Sequence, residues 1–150
     1  MSIWLFKTEP GEYSIDDLAK EQQTRWNGIR NYQARNLLRD EVQLQDRVFI
    51  YHSSCKPTAI VGLAVVCKTA YPDPSQFDES DNYYDVKATP TKPRWFCVDI
   101  EFREKFRQPL TLSRLKEMAS LKDMVLLKQG RLSIQPVSEA EYQAIILASS

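Results

Sequence analysis

Ala59-Ile60-Val61-Gly62-Leu63-Ala64-Val65-Val66-Cys67 is the stretch that decides the architecture. A nearly continuous apolar run of this length marks a strand buried on both faces. Upstream of it, Arg47 to Ser53 alternates: Val48 and Ile50 point one way, and Phe49, Tyr51 and Ser53 point the other. Further upstream, Ile3 to Lys7 reads as a short strand that the turn residues Glu9-Pro10-Gly11 stop. Downstream, Trp95 to Phe102 sets Phe96, Val98, Ile100 and Phe102 on one face, and Leu132 to Val137 is a last short strand.

Helices fall between these strands. Ser14 caps one over Ile15 to Lys20, with Asp16 and Asp17 in the first turn, where the helix dipole favours anions. Asn31 to Asp40 puts Ala34, Leu37 and Leu38 on one face. Thr111 caps a helix that buries Leu112, Leu115 and Met118, and Ser138-Glu139-Ala140-Glu141 is a capping box that opens a terminal helix. Tyr71 to Asp85 carries two prolines, several acids and no base, and reads as a long surface loop of the kind that often serves function. About five strands and about four short helices in irregular order argue against a doubly wound parallel sheet. The expected fold class is α+β, a small mixed sheet curled toward a barrel with flanking short helices, in one domain spanning 1–150.

Composition narrows the function classes. Hydrophobic residues are 43% and charged residues 27%, which argues against disorder. Lys+Arg and Asp+Glu are 20 each, so nucleic acid is not held by bulk charge, although a local basic patch remains open. Three scattered cysteines, Cys55, Cys67 and Cys97, and a start without a leader pattern fit a reducing compartment. No stretch approaches the ~20 apolar residues of a membrane span, so the expectation is a cytoplasmic protein with no membrane partner. His52 is the only histidine, which leaves a zinc site short of ligands, and four glycines spell no phosphate-cradling motif. No metal and no cofactor are expected.

The chemistry concentrates in Arg25 to Arg39. This segment holds Arg25, Arg30, Arg35 and Arg39 without one acid, interleaved with Trp26, Asn27, Asn31, Tyr32 and Gln33. Arginines grip phosphates bidentately, an aromatic ring stacks on a base, and amides read base edges. The same residues also fit a solvated helix face with Trp26 as a core anchor. Tyr51-His52-Ser53-Ser54-Cys55-Lys56 falls where a strand runs into a loop. Its hydroxyls suit a base edge, and Cys55 with His52 is an alternative nucleophile and base. Strand geometry sends residues three apart to opposite sides, which weighs against that pair.

Several of these segments together resemble one family. Trp4-Leu5-Phe6-Lys7-Thr8-Glu9-Pro10 looks like the opening motif of the EVE domain family, which includes the thymocyte nuclear protein family. Residues 26–36, WNGIRNYQARN, resemble its central motif. Tyr51-His52-Ser53, Tyr71-Pro72-Asp73, Tyr84-Asp85, Pro93-Arg94-Trp95 and Arg131-Leu132-Ser133-Ile134-Gln135-Pro136 follow in the family's order. The resemblance implies a PUA-like fold, similar to YTH, ASCH and SRA domains, and a non-catalytic module that takes a flipped, modified base into a pocket. Modified cytosine in DNA is the leading ligand. Modified RNA, a free nucleotide, or an enzyme acting through His52 and Cys55 are the alternatives. Carried over by residue, the base pocket comprises Trp26, Asn27, Asn31, Ala34, Tyr51, His52 and Ser53, and the phosphate contacts are Lys7, Arg30 and Arg35. A monomer is expected, associated with the nucleoid if DNA is the partner and nuclear if the cell is eukaryotic.

Overall fold

A computed structural model describes residues 1–150. Its centre is one mixed sheet of six strands: β1 (Ile3–Thr8), β2 (Gln23–Trp26), β3 (Arg47–His52), β4 (Ala59–Pro72), β5 (Phe96–Thr111) and β6 (Ile134–Val137). The order across the sheet is β2-β5-β4-β3-β1-β6. Only β1 and β3 run parallel, with Lys7 opposite Tyr51 and Thr8 opposite His52. The helices are α1 (Ile15–Glu21), α2 (Tyr32–Asp40), α3 (Leu112–Glu117), the single turn α4 (Val125–Lys128) and α5 (Glu139–Ser149).

The expected curl toward a barrel is overturned: the sheet is open, with β2 and β6 as its two edges. The physical reason lies in its two faces. A barrel folds one face of its sheet inward, but here both faces bury apolar side chains. Trp4 and Phe6 join a cluster with Ile15, Leu18, Ala34 and Leu38, under α1 and α2. Ile3 and Leu5, the alternate residues of the same strand, join Phe49, Phe106, Leu115 and Ile145, under α3 and α5. Helices close each face, so the sheet is the middle layer of three. The run at 59–67 obeys the same rule: Ala64 and Val66 pack on one side and Ile60 on the other.

Local signals place the helices as the chain predicts. Ser14 and Ser138 both form complete capping boxes, with Asp17 and Glu141 as their partners. The Asn31 side chain accepts from the Ala34 N–H and starts α2, and Thr111 does the same for α3 with Arg114. Two expectations need correction. β2 is a sixth strand, pairing Gln23–Trp26 antiparallel with Val98–Glu101. The segment expected as a surface loop is anchored at its root, because β4 extends to Pro72 and Asp73, Ser75 and Gln76 are buried.

Candidate nucleic-acid interface

The carboxyl ends of the parallel pair β1 and β3 lie side by side, joined by Ser53 N–H donating to the Thr8 carbonyl at 2.9 Å. There the β1–α1 turn, the end of β2, the tip of the 73–95 loop and residues 130–133 surround a cleft of about 1110 Å³. That is slightly larger than the roughly 300–1,000 Å³ of most small-molecule sites. Lys7, Trp26, Asn27, Arg30 and Ser53 all line it.

Trp26 forms part of the cleft floor. It closes β2, and its ring packs 5.7 Å from Phe6 and edge-on to Tyr13 at 6.2 Å. It is only 6% exposed, so it offers a rim of indole rather than an open face. Tyr13 sits beside it, with its hydroxyl donating to Glu21 at 2.6 Å. Burial and that carboxylate push the Tyr13 phenol up to about 12. Lys7 reaches across to the Gly130 carbonyl, and burial lowers its pKa. Arg25 and Arg131 add exposed cations, and Glu9, Glu12, Glu21 and Asp81 add acids, so the lining is mixed in charge.

Arg30 sits in the same wall, but its guanidinium is engaged within the protein. A guanidinium has five N–H donors. Nε and Nη2 both donate to the Tyr83 carbonyl, at 3.0 and 2.7 Å. Nη2 also donates to Ser75 Oγ at 3.0 Å, and Nη1 donates to the Ile29 carbonyl at 2.9 Å and Asp73 Oδ2 at 3.1 Å. No N–H is left for a phosphate.

Asp73 is the hub of this arrangement and is fully buried. Besides Arg30 it accepts from Gly28 N–H at 2.8 Å and from the Ser75 N–H and hydroxyl at 2.8 and 2.6 Å. Burial pushes its carboxyl up, but the bonds from Ser75, Gly28 and Arg30 outweigh that and hold it below the usual carboxylate range. Gln76 closes the loop beside it. Its amide donates to the carbonyls of Asp73 and Trp95 and accepts from the N–H groups of Arg94 and Trp95.

The other expected residues lie elsewhere. Ala34 is fully buried on the inner face of α2, and Asn31 is occupied as the cap of that helix. Tyr51 points into the opposite core with Phe49 and Phe106. His52 Nε2 accepts the Ile15 N–H at 3.1 Å, which requires a neutral ring and fixes the start of α1. Burial lowers its pKa, in keeping with that bond. The Cys55 thiol donates to the Pro57 carbonyl at 3.4 Å, so neither member of the suggested nucleophile pair is turned to the other. No group of three His, Cys, Asp or Glu side chains is placed to hold a metal ion. No helix is long and apolar enough to cross a membrane.

Arg35 lies outside the cleft, on a surface ladder of rings and cations. The Tyr32 ring stacks on Trp95 at 4.8 Å, with Arg35 4.7 Å and Arg94 5.7 Å from its centroid. Arg35 donates to the Arg94 carbonyl and twice to Asn36 Oδ1, which leaves two N–H free. Tyr13, Tyr83 and Arg131 are cleft residues outside the set carried over from the family, whereas Arg25 belongs to the arginine-rich segment that the sequence singled out. Arg131 carried one signal, its place in the last family motif.

The sequence pattern of the EVE domain matches residues 2–148. The chain belongs to the EVE domain family. Its mouse relative, thymocyte nuclear protein 1, is 40% identical over 164 residues, covering 97% of this chain and 72% of the mouse protein. The chicken protein of the same name is 38% identical, and this chain spans 66% of its length. Among solved structures, the human THYN1 protein in complex with 5-methylcytosine-containing DNA is 37% identical, with a TM-score of 0.95 over 100% of this EVE domain chain and 98% of the human one. These eukaryotic relatives are named as nuclear proteins, which agrees with the expectation of a nuclear place in a eukaryote.

Proposed function

We propose that this EVE domain is a non-catalytic reader that binds DNA and takes a flipped, modified cytosine into the cleft at the ends of β1 and β3. The observation that carries the reading is the convergence of Trp26, Asn27, Ser53 and the cations Lys7, Arg25 and Arg131 on one cleft. The likeness to a human protein solved with 5-methylcytosine DNA supports the ligand class. Residues 1–150 act as one unit, and one copy supplies every group named. In a eukaryotic cell its place is the nucleus, and in a prokaryote the nucleoid.

In this reading the base settles against the Trp26 rim, and Asn27 and Ser53 meet its polar edge. Lys7 and Arg131 face the flanking phosphates, and Arg35 takes a more distant one. Flipping a base costs a few kcal/mol, which stacking and edge hydrogen bonds offset. A single methyl in an apolar niche contributes ~1–3 kcal/mol of discrimination, so the preference for a modified base is modest. Since acids mix with cations along the cleft, affinity is weak and salt-dependent.

The test is a titration followed by tryptophan fluorescence, with matched DNA and RNA oligonucleotides carrying cytosine or 5-methylcytosine at one position. The expected result is tighter binding of the methylated DNA, with a change in emission. Equal binding of all four oligonucleotides would reduce the reading to a phosphate-holding surface. Preference for the RNA pair would move the ligand class.

A further inference from the structure

Tyr83 is the most exposed aromatic residue of the cleft, at 37%, yet both its backbone and its ring have partners within the protein. Its carbonyl takes two hydrogen bonds from Arg30, and its N–H donates to Asp81 Oδ1 at 2.8 Å. Its ring lies on bare backbone at Gly28, where a Cβ would come within 2.8 Å of the ring carbons. Gly28 has a φ of +83°, a conformation that side chains other than glycine's rarely adopt. The Arg30 guanidinium sits 5.4 Å from the centroid of the same ring. Behind them, one oxygen of the buried Asp73 binds both Gly28 N–H and Arg30 Nη1.

We propose that Tyr83 is the specificity wall of the cleft, a preset stacking face for a planar pyrimidine, and that Arg30 and Asp73 act through it as positioning residues. The inference rests on the nucleic-acid reading above and deepens it. A ring on a mobile loop would close on any base, whereas a ring pinned from behind by a carboxylate–arginine pair holds its gap. A fixed gap is what lets one added methyl make contact or clash. Arg30 then serves as a clasp, since all five of its N–H groups are engaged within the protein.

The test compares the full chain with its Tyr83→Ala, Tyr83→Phe and Arg30→Gln variants. Each is titrated with cytosine and 5-methylcytosine DNA across a salt series. Tyr83→Ala is expected to lose affinity for the methylated DNA by about five-fold or more, the lower end of a base–aromatic stack, and to bind both oligonucleotides alike. Tyr83→Phe keeps the ring and is expected to keep the preference. Arg30→Gln is expected to lose the preference with an unchanged slope of log affinity against log salt. A true phosphate contact would lower that slope by roughly 0.7–0.9 on its removal. Retained preference in Tyr83→Ala, or a reduced slope in Arg30→Gln, would overturn the proposal while leaving the DNA reading intact. Failure of the unmodified chain to bind DNA would overturn both.

Discussion

The arginine-rich segment 25–39 and the acidic loop 73–95 meet at Arg30, and they use charge in opposite ways. In the first, charge is conspicuous in the sequence but unevenly available. Arg30 is wholly engaged by Ile29, Asp73, Ser75 and Tyr83, whereas Arg35, one turn into α2, keeps two free N–H groups. In the second, the charges at the tip, such as Asp78 and Glu79, are exposed, and the carboxylate that matters, Asp73, is out of sight. A count of charges therefore says little about which are offered to a ligand. What remains after internal hydrogen bonds decides that.

The comparison is broken most forcefully at Asp73. Asp73→Ala strips Arg30, Gly28 N–H and Ser75 of their shared acceptor, and each buried donor left unpaired costs about 1–3 kcal/mol. Urea unfolding is the measure, and a loss below ~1 kcal/mol would mean that the loop root does not depend on this carboxylate.

A smaller effect is expected at His52, which sharpens the contrast by fixing α1 without touching the cleft. His52→Ala removes one hydrogen bond, worth about 1 kcal/mol. The sign of its pH dependence follows from the lowered pKa in the folded state. The unfolded chain takes up the proton first, so this contribution is present above the ordinary value of 6.5 and is lost as pH falls through the folded value. The parent protein should lose stability on acidification in that window, and His52→Ala should lose less. Parallel acid limbs in the two proteins would contradict the bond.

The smallest effect on stability belongs to Arg35→Ala, about 0.5–1 kcal/mol for its contact with the Tyr32 ring. Its expected signature lies in binding, a salt slope reduced by roughly 0.7–0.9 with the preference for methylated cytosine unchanged. Loss of preference instead would move Arg35 into the base site.

Much of this arrangement can be read from the chain before any coordinates. The apolar run in β4 reports a strand with two buried faces, and the alternation of Val48 and Ile50 against Phe49 and Tyr51 assigns each side chain to its layer. The open form of the sheet is not legible in that run: the sequence leads to a curled sheet, and the two covering layers are seen only in the structure. β2 escapes notice because Gln23, Thr24 and Arg25 are polar and solvated at a sheet edge, where pairing to β5 rather than side-chain burial makes the strand. The cleft is legible only in part for a different reason. Trp26 and Asn27 share one segment with the visible arginines, but Tyr13, Tyr83 and Arg131 come from separate loops and meet only in three dimensions. Asp73 looks like any loop acid until Gly28 N–H and Arg30 converge on it.

The central claim is that the cleft, and not another surface, receives the modified base. Amide chemical-shift mapping of the full chain with DNA bearing a single 5-methylcytosine tests it most directly. The account predicts the largest shifts at Asn27, Gly28, Ser53, Tyr83 and Arg131, with the α3–α5 face unchanged. Shifts concentrated on α3 and α5, with those cleft amides unmoved, would contradict it.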